Sequence, residues 1–341
     1  MMKYIEKHWK QILIGITIFT IAFVLIAWWR KNQILDHSTE TKLSNPKRNE
    51  EAYQDTYYYE QLNEKEKVAY QEIKKAIADF KGGEITFSQP LTGEEYTRVV
   101  HAIEYGSQDY YYAIVGVPMD KEDKSLTYDN EDILSVKDES VAKCLIFLAS
   151  AKDVDKQGKF DDDGYVTNLK EMRKALGEQD PQKVATIENE EEKINSTLNK
   201  IIDQMPKEYG TKEAIDYFLK WLDENIEPYG KGINAKTMSS LFTEIYKRNG
   251  LASVIDKESL PTAYAKILSE LCNRAGIESH VVLGQWKDGN AYVMTCVKIE
   301  GEDIYIDASG SKNKDLWGQK YLTKQEANNV MTPVEYFNYD K

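Results

Sequence analysis

Few side chains in this sequence of 341 residues are equipped for covalent chemistry: Cys144, Cys272 and Cys296, with His8, His37, His101 and His280 as the imidazoles. A thiol becomes a nucleophile when it is held as thiolate beside a base that exchanges protons near neutral pH, the usual work of imidazole. Cys272 falls on an apolar helical stripe, where a small sulfhydryl is an ordinary core residue. Cys296 alternates with Met294 and Tyr292 along a strand-like run beside the run that carries His280. A Cys-His encounter is conceivable there, but packing is the simpler reading. His8, His37 and His101 belong to an apolar N-terminal region, a polar linker and an earlier helix, away from any activated thiol. With no CxxC and no histidine pair, neither a zinc site nor a disulfide framework is indicated. Residues 153–164, DVDKQGKFDDDG, cluster carboxylates and put Gly158 at the sixth position of a calcium-type loop. The twelfth position is Gly164 instead of a bidentate glutamate, so a solvated acidic loop is expected. No metal and no cofactor are expected.

The elements that must position these groups begin with residues 12–29, ILIGITIFTIAFVLIAWW, an uncharged stretch whose length just suffices for a helix across ~30 Å of hydrocarbon. Lys3, Lys7 and Lys10 precede it, Arg30 and Lys31 follow it, and Trp28 and Trp29 sit where an interfacial aromatic belt belongs. A cleaved signal peptide would be shorter and followed by small residues. The expectation is an uncleaved single-pass anchor at the cell membrane, with residues 1–11 cytoplasmic and the bulk of the chain extracytoplasmic. Residues 30–54 are polar, without sustained periodicity, and read as a juxtamembrane linker.

Residues 55–210 form a helical to mixed region. Ala69, Ile73, Ala76, Ile77 and Phe80 predict an amphipathic helix within 57–80, ended by Gly82-Gly83. Thr92-Gly93-Glu94-Glu95 has capping-box spacing and leads into the stripe Tyr96, Val99, Val100, Ile103, a second helix ending near Gly106. The run DYYYAIVGV at 109–117 predicts a strand. From 118 to 210 the pattern weakens, until Ile194, Leu198, Ile201, Ile202 and Met205 mark another helix. A formal charge of −13 sets nucleic acid aside as a partner, because the mean field repels phosphate. With 41% hydrophobic and 30% charged residues, most of the chain is expected to fold.

From residue 211 to 341 the pattern sharpens. Ile215, Phe218, Leu219, Leu222 and Ile226 lie on one helical face. A second helix opens at Ser259 and Pro261, carries Tyr264, Ile267, Leu268, Leu271, Cys272 and Ala275, and stops at Gly276. Strand-like runs follow from His280, Ala291 and Asp303, separated by the turns KDGN and EGED. A helix thus feeds an antiparallel meander. The blocks SLPTAYAKILSELCNRAGIESHVVLG, Asn290-Ala291-Tyr292-Val293 and Ile306-Asp307-Ala308-Ser309 resemble, in order and spacing over 211–311, the transglutaminase-like superfamily. Its bacterial members read G-x-C-x-G-Y-A-K, then H-A-W-N, then D-A-[ST]. The resemblance implies an α+β, papain-like core in which a helix bearing a nucleophilic cysteine packs on strands bearing a histidine and an aspartate.

Residue by residue, the family's cysteine falls on Pro261, its histidine on Asn290 and its aspartate on Asp307. Proline has no nucleophilic atom, and a carboxamide cannot serve as a base near neutral pH. Asp307, left without an imidazole to orient, is expected to cap a turn or bind a backbone amide. The resemblance therefore implies a degenerate, inactive domain that binds a peptide, a protein or a cell-wall component outside the membrane. The 23 tyrosines would suit such a surface, although core and strand positions account for them equally. Two other functions stay open: a working thiol protease or amide-transferring enzyme using a displaced cysteine, and an architectural surface protein.

Overall fold

The computed structural model describes residues 57–106, 112–116, 140–150, 174–229, 248, 250–286, 291–309, 321–334 and 337–338. The expected anchor at 12–29, the linker, the acidic loop at 153–164 and Asn290 lie outside them. Among the described residues no helix is long and apolar enough to cross a membrane.

The architecture is α+β. Its first layer starts with α1 (Tyr57–Glu60) and α2 (Glu64–Ala78). The single amphipathic helix expected over 57–80 is thus two helices. Asn63 breaks it, because its side chain accepts the Glu66 N–H at 2.9 Å while Glu66 Oε2 accepts the Asn63 N–H at 2.7 Å. This reciprocal cap starts a new helix instead of continuing the old one. After Phe80, in the left-handed region at φ 51°, Gly83 turns the chain into β1 (Gly83–Leu91), a strand the sequence reading did not anticipate. The capping box at Thr92 and Glu95 is present (Thr92 N–H to Glu95 Oε2 2.7 Å) and opens α3 (Gly93–Gly106), whose Tyr96, Val99, Val100 and Ile103 are buried as expected. β2 (Ala113–Gly116) and the unanticipated β3 (Val141–Leu148) complete an antiparallel sheet of order β1-β3-β2.

α4 (Pro181–Gln204) buries Ile187, Ile194, Leu198 and Ile201, and α5 (Thr211–Asn225) buries Ile215, Phe218, Leu219 and Leu222. β4 (Glu227–Pro228) pairs in parallel with β5 (Glu258–Ser259), bracketing the short α6 (Ser253–Asp256). Then come α7 (Pro261–Arg274), β6 (Ser279–Trp286), β7 (Ala291–Ile299), β8 (Glu302–Ile306), β9 (Tyr321–Thr323), α8 (Lys324–Asn328) and β10 (Met331–Pro333). The second sheet, β10-β6-β7-β8-β9, is antiparallel throughout. The helix-to-meander succession read from the sequence is the one observed. The β7-β8 hairpin turns on Glu300 and Gly301 at φ 52° and 88°, the positive pair that a type I′ turn requires.

Both faces of the central strands are covered, which is why they read as nearly continuous apolar runs. On one face α7 docks: Thr295 Oγ1 donates to the Ala265 carbonyl at 3.0 Å, and Ser279 Oγ to that of Ser269 at 2.9 Å. On the other, Tyr57 stacks on His280 with centroids 3.6 Å apart and planes 6° from parallel. Three backbone groups of β6 that point away from β7 find partners in three separate segments. Asn273 Oδ1 accepts the Ser279 N–H at 3.0 Å, the Tyr58 hydroxyl donates to the Val281 carbonyl, and Val334 N–H donates to the Leu283 carbonyl at 3.1 Å.

Candidate functional site

The helix that should present a nucleophile begins at Pro261. Its N-cap is Leu260 instead of the expected Ser259, with no side-chain cap bond. Ser259 is engaged elsewhere, in the β4-β5 pairing, and its hydroxyl donates to the Leu260 carbonyl at 2.9 Å. Proline suits the first helical position, where its missing N–H would have had no partner and its fixed φ is already helical. Arg248 fixes the approach to this start, pairing with Glu258 and lying 3.9 Å from the Tyr229 ring centroid. The Tyr264 hydroxyl ties the first turn to the Ile226 carbonyl at 3.0 Å. The result is a rigid helix start with a pyrrolidine ring where the resemblance puts a thiol.

Asp307 follows β8 directly and is 2% exposed. One oxygen accepts a short hydrogen bond from the Tyr292 hydroxyl. The other accepts the Ser309 N–H at 2.9 Å and the Ser309 hydroxyl at 2.7 Å. Burial pushes this carboxyl above its ordinary value, and the bonds from Tyr292 and Ser309 hold it back. The Tyr292 phenol is driven far upward by burial and by the Asp307 charge, so the proton of the pair stays on tyrosine. The aspartate thus binds a backbone amide in a tight turn, and a phenol is its cross-strand partner.

Side chains alternate along a strand. Tyr292, Met294 and Cys296 therefore project to the face that carries His280, opposite the Thr295 hydroxyl that touches α7. Through its bond to Tyr292, Asp307 joins that face. Among the described residues no hydrogen bond or ion pair joins Pro261 to Asp307.

Cys144, Cys272 and Cys296 are all free and buried. Burial raises each thiol well above the ordinary range, and neighbouring carboxylates add to this at Cys144 and Cys296. His280 and Cys296 are direct register partners in β6 and β7. Burial, however, drives His280 down to about 4, so the imidazole is neutral and offers no charge to stabilise a thiolate. The pair packs beneath Tyr57 instead of activating sulfur. Among the described residues no group of three or more His, Cys, Asp or Glu is placed to hold a metal ion.

Two features were not anticipated from sequence. The first is Tyr292 as the partner of Asp307, a diagonal contact that requires the β7-β8 register. The second is a buried polar cluster between α3 and α7 around His101, Glu104 and Lys266. Its only sequence signal was charged residues falling on apolar helical faces.

No protein-family model matches the chain, and no curated protein matches it either. Among solved structures it is similar to a TGase, with a TM-score of 0.31 and 13% identity over 64% of this chain and 55% of that one. It is also similar to a candidate cysteine protease from Cytophaga hutchinsonii (0.27 and 14%, over 42% of this chain and 41% of that one) and to a candidate protease from Parabacteroides distasonis (0.24 and 11%, over 39% and 27%). The matched part spans between about a quarter and just over half of those proteins.

Proposed function

We propose that this chain is a membrane-tethered protein whose extracytoplasmic part ends in a degenerate transglutaminase-like domain, a non-catalytic module that binds a peptide, a partner protein or a cell-wall component. The observation that carries the reading is the state of Asp307. Its two oxygens are occupied by Tyr292 and Ser309, so the carboxylate that would orient an imidazole acts as a structural anchor. The ordered motif blocks, the helix feeding an antiparallel meander, and a proline at the start of that helix support the same reading. The tether rests on the uncharged segment 12–29 with its basic and tryptophan flanks. Three buried thiols with raised pKa speak against an enzyme using a displaced cysteine.

Peptide hydrolysis and amine incorporation are the assays that test this. The parent chain is expected to show neither. Turnover that disappears in Cys272→Ser or Cys296→Ser would overturn the proposal. The double variant Pro261→Cys, Asn290→His is expected to label with a thiol-reactive amide mimic where the parent does not, and absence of labelling would count against the residue alignment. Membrane fractionation, followed by protease treatment of intact cells, tests the tether. A chain that fractionates as soluble, or that stays protected from external protease, would refute it.

A further inference from the structure

The buried polar cluster has no part in the site above. Glu104 is on α3 and Lys266 on α7, so the two belong to opposite sides of the junction between the N-terminal layer and the helix that opens at Pro261. Both carboxylate oxygens of Glu104 are buried without a hydrogen-bond partner among the described residues. Lys266 is 8% exposed, and its ammonium lies 5.1 Å from the Tyr105 ring centroid. The same lining holds His101, whose Nε2 is buried and has no hydrogen-bond partner among the described residues and whose ring is hemmed in by Tyr58, Tyr105 and Phe337 at 5.0, 4.6 and 4.9 Å.

We propose that Glu104 and Lys266 form a proton-operated clasp: the contact of α3 with α7 at Tyr105 and Lys266 is kept while the Glu104 carboxyl is protonated, and the junction loosens when that proton leaves. The physical cause is the cost of a buried charge. An ionised carboxylate to which only Tyr105 and the Lys266 charge offer compensation is far better solvated by water than by this interior. Losing the proton therefore favours any opening that wets α3 against α7.

The surrounding charges leave Glu104 as the group that titrates near neutrality. Burial raises it to about 7, opposed by the Lys266 charge and by Tyr105. Burial, then Lys266 and Arg98, hold His101 down to about 3, so it stays neutral. Lys266 is lowered by burial and partly restored by Glu104. On α3, Arg98 is committed to Glu66 of α2 at 2.9 Å, and Glu95 to Lys65 of α2 at 2.7 Å. On β6, His280 is held neutral under Tyr57. A carboxyl raised in the folded state stabilises the fold below its unfolded value of 4.5, and that contribution is lost as pH rises through the folded value.

Hydrogen exchange of the α3 and α7 amides in the full-length chain, followed from pH 5 to 8.5 and corrected for intrinsic rates, tests the clasp. Opening of the junction is expected to rise by about tenfold or more across this window. Glu104→Gln should abolish the rise. Lys266→Met, which removes the charge that favours ionised Glu104, should move the midpoint to higher pH, and it keeps the test decisive if Glu104→Gln fails to fold. A rise that persists unchanged in Glu104→Gln, or a midpoint unmoved in Lys266→Met, would overturn the proposal.

Discussion

Replacing Tyr292 by phenylalanine deletes one oxygen and leaves the ring in its buried place between β6 and β8. The lost group is the donor to one oxygen of the Asp307 carboxylate, and that carboxylate cannot reach water because Asp307 is 2% exposed. Hydrogen bonds to charged acceptors contribute more than neutral ones, and leaving such an acceptor unpaired in the interior costs about 2 kcal/mol, or roughly 30-fold in the unfolding equilibrium. The cost depends on pH, and its sign follows from the titration. Asp307 already lies above its ordinary value of 3.8 because of burial, and the Tyr292 hydroxyl is the leading influence holding it down. Without that hydroxyl the folded-state value rises further. Well below pH 3.8 the carboxyl is protonated in parent and variant alike and the two should be nearly equal in stability. The full difference should develop as pH rises through the folded-state values and persist at pH 7 and above. Urea unfolding of both proteins at several pH values, with unchanged denaturant dependence, measures this directly. A loss that is the same at every pH would show that Asp307 is not the partner that matters and would refute the reasoning.

Three further outcomes follow from packing and capping. Ellman's reagent should leave Cys144, Cys272 and Cys296 unmodified in the native chain and titrate all of them in denaturant, because each is at most 1% exposed; rapid native labelling of any one would contradict its burial. Gly284→Ala should destabilise by about 1–3 kcal/mol, read as a lowered thermal midpoint, since the added carbon would sit 2.4 Å from Met331 Cγ and 2.6 Å from the Thr332 carbonyl oxygen. Asn63→Ala should cost about 1 kcal/mol in chemical denaturation, by removing the side chain that accepts the Glu66 N–H at the start of α2; a neutral result would mean the capping box contributes nothing.

The C-terminal elements were legible because each combines a strong period with clear stops. α7 carries an apolar stripe between Pro261 and Gly276, and β6 to β8 are apolar runs separated by turn residues. The capping box at Thr92 and Glu95 fixed α3 for the same reason. β1 and β3 escaped because their pairing is remote in sequence: Ile85 meets Cys144 across the sheet. β1 also carries Pro90 and mixed polar residues, and β3 lies in the stretch where periodicity fades. The break between α1 and α2 is not legible because the apolar stripe starts only at Ala69 and leaves the helix start undefined, whereas the reciprocal bonds of Asn63 with Glu66 decide the boundary. At the site, Pro261 and Asp307 stood out only through the resemblance of the motif blocks to a known family. The Tyr292 contact could not be read that way, because a diagonal partner depends on register and on which face each strand turns toward α7.

The outward edge of β6 has a consequence for recognition. With the Ser279 N–H and the Val281 and Leu283 carbonyls already bonded to Asn273, Tyr58 and Val334, an incoming extended peptide cannot use these three groups as rungs for an extra strand. Capture by backbone templating, which is indifferent to sequence, loses those three rungs along this rim. A ligand arriving there depends the more on its side chains, and the same occupied groups work against rim-to-rim pairing with copies of the chain.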